Sequence, residues 1–321
     1  MTRGTWVALS VFAVVLVVGS LMLGTPFIGI NRLGAALSSP GGLEHVVVVE
    51  LRAPRLVLGL LAGAALGVAG LMLQESLRNP LAVPELLGVS GGSAAAVTIC
   101  VVFGLNVPGA PLVPALVGAA AGAALTLVAV RGAVGPEATL LIGAAVSAAL
   151  QAVLLAAAAL ADARDQGVLI RYLLGSLTGT DWSDVLVVGV GLAVLAPLAV
   201  FCLPALTVLR LGDETAASAG LAAGRARVLV LTVACLLIAV VVGFCGPIAW
   251  IGFLAPQLAR LVSTSSARWS MVFGALLVAA ADLAARTVLY PVELPVGGLT
   301  AAVGVTVGVL VVVRRRRRVR A

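Results

Sequence analysis

The 321-residue chain contains no lysine, so all twenty of its basic residues are arginine. A Walker A loop needs a lysine for the nucleotide phosphates, which excludes a P-loop ATPase. Charge of either sign is scarce: 10% of residues are charged, whereas soluble domains carry about 25%. With so little polar surface, a water-soluble globule is excluded too. Histidine occurs once, at His45, and the four cysteines (Cys100, Cys202, Cys235, Cys245) stand alone in apolar runs without a CxxC pair. That spacing predicts buried thiols and neither a disulfide nor a metal site. The apolar runs are continuous and not alternating, which argues against strands.

What the chain has is hydrophobic length: 62% apolar residues and a mean hydropathy of +1.21. At roughly 20 residues per crossing, the chain predicts an all-α, multi-pass membrane protein of about ten helices in a single domain, residues 1–321. The apolar runs are 5–24, 56–74, 90–104, 112–130, 139–160, 185–206, 228–243, 248–262, 271–289 and 296–313. The first has the positive start and apolar core of a signal peptide, but no small-x-small cleavage site leads into a soluble domain. A retained helix is expected. Residues 25–51, with Pro26, Pro40 and His45, read as a long non-membrane segment, and His45 as plain surface. A polar stretch with Asp162, Arg164, Asp165 and Arg171 precedes Trp182, which reads as an interfacial anchor. Placing both termini in the cytoplasm puts fourteen of the twenty arginines inside, as the positive-inside rule asks. Arg314 to Arg318 with Arg320, in the tail 314–321, then read as a stop-transfer signal and an anchor to anionic lipid, not as a nucleic-acid site.

The organising stretch is 51–92. Arg52 and Arg55 frame Pro54, and Gly59, Gly63 and Gly67 follow, four apart on one helical face. Such a row lets a neighbouring backbone approach closely. The helix breaks at Arg78-Asn79-Pro80-Leu81-Ala82, then Pro84 and a glycine-rich start return the chain to apolar sequence. A second break, Leu211-Gly212-Asp213-Glu214 through Ala217 to Gly220-Leu221, is short, amphipathic and rich in small residues, with acids where a helix N-terminus favours them. It lies in a loop of about 207–227.

These marks resemble the permease subunits of ATP-binding-cassette importers for iron-siderophores, haem and cobalamin. The match runs through Arg52-Ala53-Pro54-Arg55, Gly70 with Gln74, Arg78-Asn79-Pro80-Leu81-Ala82, Pro84 and Leu87-Gly88. It continues in Gly246-Pro247-Ile248-Ala249-Trp250-Ile251-Gly252-Phe253 with Pro256 and Arg260, and in Asp282, Arg286, Glu293, Pro295, Gly297, Thr300, Ala301 and Gly304. Gln257 stands where the family usually has histidine, and Thr306 and Gly308 replace a usual proline and aromatic, which bears on the packing of the last helix. The resemblance implies a type II importer permease fold in a bacterial cytoplasmic membrane, with two such permeases, alike or paralogous, forming a dimer. It implies two separate ATPase subunits carrying ATP and magnesium, an extracytoplasmic substrate-binding protein, and no cofactor on this chain. The cargo it implies is an iron-siderophore-type chelate, with cobalamin or haem as the alternative.

The resemblance also assigns roles. Arg52, Arg55 and Arg286 would receive acidic residues of the binding protein, since guanidinium pairs carboxylate in a bidentate fork. Their other reading is as headgroup anchors, and Arg286 is also placed to pair with Asp282 four residues back. Leu211, Gly212, Asp213, Glu214, Ala217, Gly220 and Leu221 would dock the ATPase, or else form an ordinary interfacial loop. Ser147 and Gln151, four apart, and Gln74 are buried polar candidates that line the route or bridge helices. Pro136 and Glu137 read as part of an inner gate.

Two rivals carry different chemistry. Gly88-Val89-Ser90-Gly91-Gly92 fits a G-x-S-x-G pattern, but a serine nucleophile needs a base and His45 lies in an outer loop. An ion-coupled carrier wants carboxylates in mid-span, and Asp282 alone lies within an apolar run.

Overall fold

The computed structural model describes residues 3–38, 41–129, 136–161, 172–262 and 266–306. Among the described residues there is no strand. In chain order the helices are α1 (Arg3–Met22), α2 (Ile30–Ser38), α3 (Leu43–Ser76), α4 (Val89–Val102), α5 (Leu112–Ala129) and α6 (Pro136–Ala159). They continue with α7 (Trp182–Leu209), α8 (Asp213–Ser218), α9 (Ala223–Cys245), α10 (Ile251–Val262), α11 (Ser266–Thr287) and α12 (Val296–Thr306). By length and composition α3, α6, α7, α9 and α11 can cross a membrane, and α1, α4, α5, α10 and α12 are apolar but shorter. Each of the ten apolar runs holds one of these helices. The segment with Asp162, Arg164, Asp165 and Arg171, the tail 314–321 and Gly308 lie outside the described residues.

At the centre is α3, packed against α11, α9, α10 and α7. The glycine row explains the intimacy. A Cβ on Gly63 would overlap the carbonyl oxygen of Gly274 in α11, and one on Gly67 would overlap that of Ser270. Where lipid gives helices little hydrophobic reason to associate, this close backbone approach is what holds them. A second such contact, Gly92 against Gly118, joins α4 to α5.

The segment 25–51 departs from the sequence reading. It contains α2, and α3 begins at Leu43, well before residue 56, passing through a π-helical stretch over Val46–Arg52. Proline accounts for the wide turn. Pro54 has no N–H and its ring crowds the preceding turn, and a π stretch, with bonds to the fifth residue back, gives it room. Ala53 N–H therefore bonds the Val48 carbonyl. The next acceptor in that pattern, the Val49 carbonyl, has no donor in its own helix and takes the Trp182 indole N–H at 2.8 Å. Trp182 thus fastens α7 to α3. His45 is half-buried in α3, not surface in a loop, with Nδ1 2.7 Å from the Ala36 carbonyl oxygen.

The arrangement recurs in α10, where Pro256 has no N–H for the Gly252 carbonyl four residues back. That oxygen accepts from Gln74 Nε2 of α3 at 3.1 Å. Both helices that start inside the protein have their first donors met from elsewhere. Gly88 N–H, ahead of α4, bonds Ser147 Oγ at 3.0 Å, and Trp250 N–H, ahead of α10, bonds Glu85 Oε1 at 3.2 Å. Both residues sit in the left-handed region, at φ 68° and 67°.

Candidate functional site

The polar chemistry gathers at the two ends of α3. At its N-terminal end, the π stretch aims Arg52 at the turn after α1, where Nη1 donates to the Leu21 and Met22 carbonyls at 2.7 and 3.1 Å and Nη2 to Pro26 at 2.7 Å. One turn on, Arg55 donates from Nε to Asp282 Oδ1 and from Nη1 to Glu293 Oε2, both at 2.8 Å. Arg286 donates to the Ser20 carbonyl at 2.6 Å, and its Nε lies 3.8 Å from Asp282 Oδ2. The anticipated Asp282–Arg286 contact is present, but Asp282 faces Arg55 more closely.

The three arginines are 6%, 9% and 8% exposed and, with Glu293, Thr180, Tyr290 and others, line a cavity of about 290 Å³. Three cations meet two carboxylates, so the cluster keeps a surplus positive charge. Arg55 Nη2 and Arg286 Nε are buried without a hydrogen-bond partner among the described residues. Glu293 stands at the rim, its side chain 45% exposed. Burial raises its carboxyl pKa, but the hydrogen bond and charge of Arg55, helped by the Thr178 hydroxyl at 3.2 Å, outweigh that and leave it below the usual range. The Arg55–Glu293 pairing had no sequence signal, because 238 residues separate the two.

Roughly 30 Å along α3, the other end is built around Gln74. Its Oε1 accepts from Arg260 Nη2 at 2.6 Å while Nε2 donates to Gly252, and Arg260 lies 3.6 Å from Glu75. Gln257 Nε2 donates to the Pro80 carbonyl at 3.2 Å. Asn79 Oδ1 accepts from Leu81 N–H at 2.9 Å and shapes the turn, which Arg78 enters at φ 50°. Arg78 and Arg227 both reach Asp213 at the start of α8, at 3.5 and 2.6 Å, and Arg227 Nε also donates to the Ser76 carbonyl at 2.9 Å. The Asp213 carboxyl is held below its usual range by the Arg227 hydrogen bond and the nearby charges. So α8 is fixed by its acid and by the fully buried Ala216, while Leu211, Glu214, Ala217 and Gly220 are exposed and Leu221 is half-buried.

The remaining sequence candidates sort by position. Ser147 bridges α6 to the turn before α4, donating to the Glu85 carbonyl and accepting from Gly88. Gln151 is half-buried one turn on, beside Gly91. Pro136 and Glu137 open α6, and their side chains lie outside the described residues. Gly246 (φ 67°) and Pro247 form a junction with Gly175 and Gly297, where Gly297 N–H bonds Gly175 at 3.1 Å and Pro295 begins the turn into α12. Ser90 lies in the first turn of α4 beside α6, while His45 sits with α2. Among the described residues no three His, Cys, Asp or Glu side chains are grouped to hold a metal.

Comparison with known proteins gives a consistent picture. The family described as the FecCD transport family matches residues 12–314. The Fe(3+)-citrate import system permease protein YfmE of Bacillus subtilis is 34% identical over 324 residues, covering 92% of each chain. The vitamin B12 import system permease protein BtuC of Vibrio vulnificus is 34% identical over 318 residues, covering 95% of this chain and 93% of the relative. A solved metal-chelate type ABC transporter in an inward-facing conformation superposes with a TM-score of 0.83 at 24% identity, over 98% of this chain and all of that one.

Proposed function

The chain belongs to the FecCD transport family, and from that membership we propose that it is the transmembrane permease subunit of an ATP-binding-cassette importer for iron-siderophore-type chelates. The observation that carries the reading is the family match across residues 12–314, nearly the whole chain. The iron-citrate relative from Bacillus subtilis supports an iron chelate as cargo. Cobalamin is the second reading, favoured by equal identity to the vitamin B12 permease of Vibrio vulnificus.

In this reading the chain is one domain crossing a bacterial cytoplasmic membrane ten times, with both ends inside. It pairs with a second permease, identical or paralogous, beneath an extracytoplasmic binding protein. ATP and magnesium reside on two separate ATPase subunits, and nothing is catalysed by this chain. The arginine cluster of Arg52, Arg55 and Arg286 is the docking end for binding-protein carboxylates, and its surplus positive charge and unpartnered donors support that role. The exposed surface around α8 (Leu211, Glu214, Ala217, Gly220) is the docking end for the ATPase. There Asp213, Arg227 and Arg78 tie α8 to α3 and α9, so a push on α8 reaches the central helix as rigid-body motion.

Reconstitution into liposomes tests the proposal. Uptake of a ferric siderophore is expected only with ATP, the partner ATPase and the binding protein together. Uptake by the chain alone, or driven by an ion gradient, would overturn it.

A further inference from the structure

Alongside α8, the last turns of α7 and the first turns of α9 leave a groove of about 620 Å³, comparable with one fatty acyl chain. Its walls are apolar: Phe201, Pro204 and Val208 from α7, Leu229 from α9, and Leu221 from the turn between. Gly220 in its lining has no side chain, and a Cβ there would meet nothing within 4 Å. Phe201, 72% exposed, and Leu229, 44% exposed, turn apolar surface outward where α7 and α9 face their surroundings.

One charged residue lines the groove, Arg225. Its neighbour Arg227 pairs with Asp213, but Arg225 has no carboxylate partner among the described residues and is exposed. No acid occupies the first turn of α9 to balance it. An apolar slot of acyl dimensions with a lone cation at its polar end matches an amphiphile of opposite charge.

We propose that this groove binds an anionic phospholipid, its acyl chain along Phe201, Pro204 and Leu229 and its phosphate on Arg225. The assignment to the cytoplasmic leaflet rests on the topology proposed above; the binding itself does not. A phosphatidylglycerol held there would sit against the turn joining α8 to α9.

Brominated acyl chains quench nearby tryptophan, so Phe201→Trp, on the wall of the groove, reports on lipid held there. With the wild-type signal as background, the full chain in nanodiscs is titrated with brominated phosphatidylglycerol and with brominated phosphatidylcholine. The anionic lipid is expected to be preferred about fivefold, the effect of one arginine near a membrane surface. Adding Arg225→Gln should bring the ratio to one, and Arg225→Lys should retain most of the preference. Equal quenching in the Phe201→Trp protein would overturn the proposal. So would a preference that survives Arg225→Gln. Either result can arise while ATP-dependent uptake stands, so the lipid site and the transport reading fail separately.

Discussion

At the residue scale, the arginine cluster shows how far charge can be withdrawn from water when acceptors are supplied. Asp282 faces two arginines at 4% exposure. Removing one partner of a buried pair leaves its mate uncompensated and costs on the order of 3–5 kcal/mol. Asp282→Asn is therefore expected to lower the melting temperature in detergent far more than Glu293→Gln, because Glu293 stands half in solvent. Glu293 also carries a pH signature. Its folded carboxyl titrates below the usual range, so its stabilisation is complete above about pH 4.3 and is lost as pH falls through the depressed folded value. The stability gap between wild type and Glu293→Gln should accordingly be present at pH 7 and close in acid, as melting curves across that range would show. The sequence made the arginines visible, since charge in an apolar chain stands out. It showed Asp282 four residues before Arg286, but not the partners of Arg55, because nothing local links Arg55 to a carboxylate 238 residues away. For the same reason reversing Arg52 and Arg55 to glutamate is a poor docking test: it would crowd a third carboxylate against Asp282 and Glu293 and disturb folding first.

At the element scale, glycine and proline set which helices touch and where. Gly63→Val forces a branched side chain onto the Gly274 carbonyl, an overpacking expected to cost about 1–3 kcal/mol. Loss of α3–α11 packing should appear as a lower melting temperature with membrane insertion unchanged. The glycine row was legible because spacing along one helix is a sequence property. The early start of α3 was not, since a proline usually marks a helix boundary and here a π stretch carries the helix past it. The Trp182 contact is testable by a double-mutant cycle. Trp182→Phe should cost about 1 kcal/mol, and less when Pro54→Ala restores an N–H to compete for the Val49 carbonyl. Equal costs in both backgrounds would mean that the indole hydrogen bond contributes nothing.

At the scale of the whole molecule, α3 joins two polar ends through an apolar middle. Tyr290, 63% exposed on the wall of the arginine cavity, offers a place to detect docking without touching the buried charges. A Tyr290→Cys variant should crosslink to a binding protein during ATP-dependent uptake; its failure to do so at any position of the transport cycle would move the docking face elsewhere. Composition and arginine placement anticipated the helical architecture and the two polar ends of α3, whereas the short α4 and α10, which start inside the protein, are read from sequence only as ordinary apolar runs. Those inner starts bear on how the helices can move. A carbonyl released by Pro256 is a single acceptor at one height on α10, and Gln74 is a single donor at one height on α3. Sliding by even one residue, about 1.5 Å, would part them, so the two rods behave like a shaft held by a detent. Displacement along α3 therefore gives up this hydrogen bond, worth about 1 kcal/mol, before another can form.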